Sequence, residues 1–399
     1  MLIDKSNLKK DSLEGKIVLL TGGGGGIGFE AGRALVRLGA EVILAEIDRE
    51  KGAGAEKRIN AELNTDRAHF FEADLSDEKQ LGGLCAFITE RFGRLDVLFN
   101  NATVTPFGPV GGVAIEEWDK SYAVNLRAPL LLVERFLPEM KKRGAGTIVF
   151  VPSSGAAPYM GAYEVFKTAQ VELCNTLAAE LEDTNIAAYS IGPGLVKTET
   201  AQRGIDTVAR YMNISTDEFY KMNESKMLDA EAAGTGFAIS VALAERYRGQ
   251  EIGAIQALID AGVFSGEQED KGGRDYDAAE RAAVPALIGR ILATYADQYD
   301  GWLKRNIFER QWVLRDFKKT AGRSADDMKN TLEQMAHALE RGDFSAPRRF
   351  SRDLALLKTY YEHQHKLLQG YEKDPKKLKE NSDIITGWVR DLESALSMI

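Results

Sequence analysis

The chain has 399 residues, 44% hydrophobic and 28% charged, with a net charge of −9. That balance is ordinary for a globular protein, excludes a chain-wide basic field for nucleic acid or anionic membrane, and offers no run of about 18 apolar residues to span a bilayer. The opening MLIDKSNLKKDSLEGK lacks an apolar core of the secretory kind, and Cys85 and Cys174 read as buried thiols, so a cytoplasmic protein is expected.

Over the first 263 residues, short apolar runs alternate with segments of helical periodicity. Residues 17–20, 42–45, 69–72, 95–99, 147–151, 187–191 and 254–259 read as strands. Strand–helix alternation over this length predicts an α/β fold, a Rossmann-type doubly wound parallel sheet with helices on both faces. The composition changes at SGEQEDKGGR, so 264–274 reads as a linker and 275–399 as an all-α C-terminal domain. Helices are expected over 276–299, 302–319 and 347–370. Another begins after Ser324 as N-cap, carries Met328, Leu332, Met335 and Leu339 on one stripe, and stops at Gly342. A last one opens at Pro375 with Leu378, Ile385, Trp388, Leu392 and Leu396. The aromatics Trp302, Phe308, Trp312, Phe317, Tyr360 and Tyr361 are expected to build a core there. His363 and His365 are two apart and do not share a helix face, so no metal site is expected.

Between the first strand and the first helix stands LLTGGGGGIGFEAG. Glycine there permits a tight turn, close approach to a pyrophosphate, and access to the free N–H groups of the helix N-terminus. Two registers fit: Gly23, Gly25 and Gly28 as G-x-G-x-x-G, or Gly22, Gly26 and Gly28 as G-x-x-x-G-x-G. Glu46 ends the second strand, 24 residues after Gly22. A carboxylate there accepts hydrogen bonds from the adenosine ribose and repels a 2′-phosphate, which favours NAD over NADP. Arg49 nearby is the counter-argument.

Tyr163 and Lys167 are four apart on a helix and share a face. A phenol titrates near pH 10, and a neighbouring ammonium lowers that value, so the pair suits proton exchange with an alcohol or carbonyl.

Taken together, TGGGGGIG, LFNNATV, YAVNL, TIVFVPSSGAAPYMGAYEVFK and SIGPGLVKTET resemble the short-chain dehydrogenase/reductase family over about residues 13–263. The resemblance selects the register of Thr21, Gly22, Gly26 and Gly28, with Ile27 presenting its backbone N–H. It implies Tyr163 as acid/base, Lys167 as its activator and a ligand of the nicotinamide ribose, and Ser153 (with Ser154 the fallback) as ligand of the substrate oxygen. Asn125 is implied to support a proton-relay water. Asp74 and Leu75 match the adenine-contacting pair. Asn101 matches the support of the cofactor side of the central strand. Pro193, Gly194, Val196 and Thr198 match the loop around the carboxamide.

Three departures stand out. Ser153 precedes Tyr163 by only ten residues, shorter than the family's usual spacing; Thr103 replaces a glycine; and Glu164, Val165 and Phe166 replace small residues after Tyr163. Residues 200–228, with Tyr211, Met212, Phe219 and Tyr220, occupy the place of a substrate lid. The implied function is an NAD-dependent oxidoreductase interconverting a secondary alcohol and a ketone, as a homodimer or homotetramer with a small-molecule substrate. Alternatives are an epimerase or dehydratase using bound NAD, or a non-catalytic NAD-binding subunit with a helical partner-binding domain. The helical extension is expected to cover the active-site mouth or extend an oligomer interface.

Overall fold

The computed structural model describes residues 1–153, 158–223, 227–264, 278–321, 324–342, 344 and 346–398. The chain divides into two compact units, Met1–Ser265 and Gly266–Ile399. The expected linker lies outside the described residues except for Phe264.

The first unit is built on β1 (Ile17–Thr21), α1 (Gly26–Arg37), β2 (Glu41–Glu46), α2 (Arg49–Leu63), β3 (Ala68–Glu72), α3 (Glu78–Phe92) and β4 (Val97–Asn100). It continues with α4 (Ile115–Tyr122), a π-helical turn (Ala123–Arg127), α5 (Ala128–Arg143), β5 (Gly146–Phe150), α6 (Gly161–Glu180) and β6 (Ile186–Gly192). Then come β7 (Leu195–Val196), α7 (Glu199–Tyr211), α8 (Thr216–Met222), β8 (Met227–Leu228), α9 (Ala230–Ala242), β9 (Glu251–Gly253) and α10 (Ala254–Asp260). The main sheet is parallel in the order β3-β2-β1-β4-β5-β6-β9.

Both faces are covered, so the strands read as apolar runs without alternation. Val18, Leu20, Val42 and Leu44 pack with Leu35 of α1 and Phe237 of α9. Ile17, Leu19, Ile43 and Ile148 point the other way, onto Leu84 of α3, Leu132 of α5 and Leu177 of α6. The strand order reverses between β1 and β4, which opens a crevice beyond their C-terminal ends.

One strand expectation is overturned: 254–259 is helix α10, and the edge strand is the shorter β9 before it. Ala254, Ala257 and Leu258 are buried at i, i+3 and i+4, while Ile255 and Ile259 are exposed. A short apolar run without turn residues fits either element, and packing of one helical face decided it.

The second unit comprises α11 (Ala278–Leu303), α12 (Ile307–Ala321), α13 (Ala325–Glu340), α14 (Ala346–Arg349), α15 (Ser351–Tyr371) and α16 (Pro375–Met398). The Ser324 hydroxyl accepts from Asp327 N, and the expected stripe of α13 is buried. The break between α11 and α12 falls after Trp302, not before it, because the Asn306 side chain accepts from Glu309 N and starts a new helix. Trp302 therefore closes α11 and packs with Tyr295, Phe317 and Tyr360. Trp312, assigned to this core from sequence, is 64% exposed, while the Phe308 side chain lies outside the described residues.

Candidate active site

The glycine turn follows β1 directly. Gly22 and Gly26 have φ of +69° and +51°, and a Cβ on Gly28 would stand 2.0 Å from Gly22 O. The register of Gly22, Gly26 and Gly28 is thus the one in which every position needs glycine, since only glycine adopts such φ values readily or permits such a backbone approach, whereas Gly25 of the other register has open space around it. Ile27 lies in the first turn of α1, where N–H groups are free of intrahelical partners.

Asn101, just past β4, ties this turn to the sheet. Its Nδ2 donates to Thr21 O at 2.8 Å and Gly22 O at 3.2 Å, and its backbone N–H donates to Thr21 Oγ1. Thr198 approaches from the other side, with its methyl 3.2 Å from where a Cβ on Gly26 would lie, and its hydroxyl caps α7 by accepting from Ala201 N. Pro193 and Gly194 lead into β7, where Val196 is buried; Gly194 takes φ +76°.

Glu46 ends β2 beside the turn. Its Oε2 accepts from Gly24 N, and its Oε1 accepts from Ile47 N and Asp48 N, at 3.1, 2.9 and 3.2 Å. The carboxylate thus ties the glycine turn to the segment that leads from β2 into α2. Gly24, a variable position of the fingerprint, has no room for a side chain because a Cβ there would be 2.6 Å from Glu46 Cγ. Arg49, the residue that argued for a 2′-phosphate, is paired with Glu72. Beyond β3, Asp74 accepts from the backbone N–H and hydroxyl of Ser76, and Leu75 is buried beside it.

Tyr163 and Lys167 lie in the first two turns of α6, and Ser153 lies just beyond β5. Burial pushes the Tyr163 phenol up to about 12; a hydrogen bond with Ser153 opposes the rise, and the Glu164 charge adds to it. Lys167 is 1% exposed, and its Nζ has no hydrogen-bond partner among the described residues. Burial pulls its ammonium down to about 7. Ser154 lies outside the described residues.

Asn125, in the π-helical turn, is fully buried with every side-chain hydrogen-bonding capacity used. Oδ1 accepts from Thr103 Oγ1 and Val104 N, and Nδ2 donates to Val104 O and Ser121 Oγ. Its backbone carbonyl accepts from Gln170 Nε2. Asn125 therefore locks the loop after β4 to α4, and Thr103, where the family has glycine, is part of that lock.

Sequence reasoning missed Phe107 and Gln170 and gave no role to Tyr159, seen only as part of the short substrate loop, or to Glu164. The Phe107 ring stands edge-on to Tyr163 and lies against Gly204 of α7. Tyr159, with φ +66°, stacks on Tyr211 at 5.3 Å and 21°. Gln170 closes the Asn125 carbonyl. Glu164, noted only as an oversized residue, is buried and accepts a hydrogen bond from Ser153 Oγ at 2.7 Å. Tyr211 thus reaches the serine–tyrosine loop from the expected lid, whereas Tyr220 is buried under Lys197.

A cradle that a Cβ would fill and a buried lysine nitrogen without a partner, one helical turn from a tyrosine, fit a nicotinamide dinucleotide. The comparisons agree with this class. The short chain dehydrogenase family model matches residues 16–208. An uncharacterized oxidoreductase of Thermotoga maritima is 35% identical over 191 residues, 47% of this chain and 74% of its own. Dehydrogenase/reductase SDR family member 4 of Homo sapiens is 34% identical over 194 residues, 48% of this chain and 69% of its own. The structure of NAD+-bound xylitol dehydrogenase superposes with TM-score 0.56 at 25% identity, covering 61% of this chain and 98% of that one. The chain belongs to the short-chain dehydrogenase/reductase family of oxidoreductases. Among the described residues, no helix is long and apolar enough to cross a membrane.

Proposed function

We propose that the chain is an NAD-dependent oxidoreductase that interconverts a secondary alcohol and a ketone. The observation that carries this reading is the grouping of Tyr163, Lys167 and Ser153 at the C-terminal end of β5, with Lys167 Nζ buried and unpartnered. When bound, the nicotinamide supplies the two-electron exchange with the substrate carbon. The turn of Gly22, Gly26, Ile27 and Gly28 would hold the pyrophosphate, Glu46 the adenosine ribose, Asp74 and Leu75 the adenine, and the loop from Pro193 to Thr198 the carboxamide.

Lys167 would donate to the ribose hydroxyls, which relieves its isolation. As an ammonium it also stabilises the phenolate of Tyr163. Tyr163 exchanges the proton of the substrate oxygen, and Ser153 orients that oxygen. Phe107 and Tyr159 offer an apolar wall for the rest of the substrate. Preference for NAD is supported by Glu46, whose carboxylate at the end of β2 disfavours a 2′-phosphate.

The test is NADH formation across secondary alcohols, sugars, steroids and hydroxyacyl thioesters, with wild type and Tyr163→Phe. A substrate whose turnover falls by about 10²-fold or more in the variant, while NAD still binds, supports the reading; full activity in the variant refutes it. The chain is further proposed to act as a homodimer or homotetramer. Support comes from exposed Tyr122, Leu130 and Val165 on α4, α5 and α6, and sedimentation equilibrium tests it.

A further inference from the structure

Glu164 is a buried carboxylate, 8% exposed, placed next to the acid/base tyrosine and bonded to its serine. Nothing in the reaction proposed above uses it. Resting on that reading of the site, we propose that Glu164 is a positioning residue: it takes the hydroxyl hydrogen of Ser153 and so keeps Tyr163 in its protonated, proton-donating form.

The argument is a count of hydrogens. A serine hydroxyl has one hydrogen to give and lone pairs to receive. At 2.7 Å from Glu164 Oε2, that hydrogen is committed to a carboxylate, the stronger acceptor. While Glu164 holds that hydrogen, Ser153 Oγ faces Tyr163 as an acceptor, and the help that a Ser153 hydrogen bond would give the phenolate is withheld. The Glu164 charge opposes ionisation of Tyr163 as well. The charge that acts on Tyr163 is that of Glu164, the next residue of α6, with Lys167 one turn further along the same helix; the loop after β4 contributes the uncharged Phe107 ring and the end of β5 the uncharged Ser153. Burial holds the Lys167 ammonium down, so it offers little opposing charge before a ligand pairs with it.

When a carbonyl oxygen arrives, the Ser153 hydrogen turns from Glu164 to that oxygen and Tyr163, still protonated at neutral pH, gives it its proton, so the site stands ready in the reducing direction. There the Tyr163 O–H bond breaks and an O–H bond forms on the former carbonyl oxygen. The carbonyl carbon gains a hydrogen with two electrons from the reduced nicotinamide of the proposed reaction, and the phenolate is reprotonated from solvent.

The test needs neither substrate nor cofactor. Tyrosinate absorbance is followed after rapid alkaline jumps of the full chain, before unfolding, and the same trace from a Tyr163→Phe counterpart is subtracted to isolate Tyr163. Glu164→Gln, close to isosteric, is expected to lower the Tyr163 midpoint by about one unit. In a Ser153→Ala background the same change is expected to move it by less than half as much, because the hydrogen linking the two is gone. Glu164→Leu, which fills the volume without an acceptor, serves as a second variant should the glutamine protein fold poorly. An unmoved midpoint, or an equal shift with and without Ser153, overturns the inference. Failure of the NADH screen would refute the oxidoreductase reading and leave this result standing; an unmoved midpoint would refute the role of Glu164 and leave that reading intact.

Discussion

The Phe107 ring meets the Tyr163 ring edge-on, with centroids 4.9 Å apart and planes at 76°. Phe107 is held there from behind by α7, where Gly204 leaves the space the ring occupies: a Cβ on Gly204 would stand 2.0 Å from Phe107 Cε2. Helix α7 and Tyr163 are therefore linked through one phenylalanine.

Gly204→Ala is expected to force the ring toward Tyr163 or α7 outward. Overpacking of this kind costs about 1–3 kcal/mol, read as a fall in denaturation midpoint. Phe107→Ala removes the clash, so the double variant should recover most of the loss that Gly204→Ala causes. Simple addition of the two single effects would show that the ring and the helix are independent.

Glu46 accepts three backbone N–H groups through both oxygens. Glu46→Gln replaces one acceptor oxygen with a donor NH2 that must face a backbone N–H. The expected loss is about 1–3 kcal/mol of stability, from one N–H left unpaired. The same substitution removes the charge that disfavours a 2′-phosphate. The ratio of kcat/KM for NAD to that for NADP should therefore fall, and an unchanged ratio would place cofactor choice elsewhere.

The second unit has its own core, in which Phe317 and Tyr360 approach to 4.5 Å and Tyr295 is fully buried. The sheet unit likewise has its cores on the two faces of its own sheet. A chain ended after Phe264 is expected to fold and to bind NAD with its affinity unchanged within about threefold, a difference of less than 1 kcal/mol. Titration of NADH fluorescence checks this. An altered KM for substrate or an altered oligomer in the same truncated chain would assign the helices to a lid or an interface; neither change would remove both proposals.

Six of the seven main-sheet strands were legible because buried parallel strands are short apolar runs bounded by glycine and charge. The seventh was misplaced because AIQALID is apolar and short, and only the exposure of Ile255 and Ile259 shows its period. The shared face of Tyr163 and Lys167 was legible because helix geometry fixes a four-residue spacing, whereas spacing left two glycine registers open and only the family resemblance chose between them. Phe107 was not legible, since a loop has no period to place a side chain. Glu164 was visible as a departure from the family pattern, but its bond to Ser153 depends on how β5 meets α6, a tertiary fact that spacing does not encode. The use of every Asn125 side-chain donor and acceptor is of the same kind.

Lys167 gives the last prediction its sign. Its ammonium titrates at about 7 in the folded chain because burial disfavours the charge, against an ordinary value of about 10.5. Below pH 7 the lysine is charged in both folded and unfolded chains, and folding carries the full cost of burying that charge. Between about 7 and 10.5 the unfolded chain holds a proton that the folded chain lacks, so stability from this group rises with pH, by up to about 1.4 kcal/mol per unit. Above that window the lysine is neutral in both states and the cost is gone. Lys167→Met removes the group with little change in volume. The variant without cofactor should therefore be more stable than wild type at neutral pH, by a few kcal/mol on the order of the shift, and the advantage should shrink as pH approaches 10.5. Added NAD should stabilise wild type and help the variant much less, because the gain comes from pairing the orphaned nitrogen. Denaturant melts across this pH range, with and without NAD, measure both effects. A variant less stable than wild type at pH 7 would mean that Lys167 already has its partner within the folded chain.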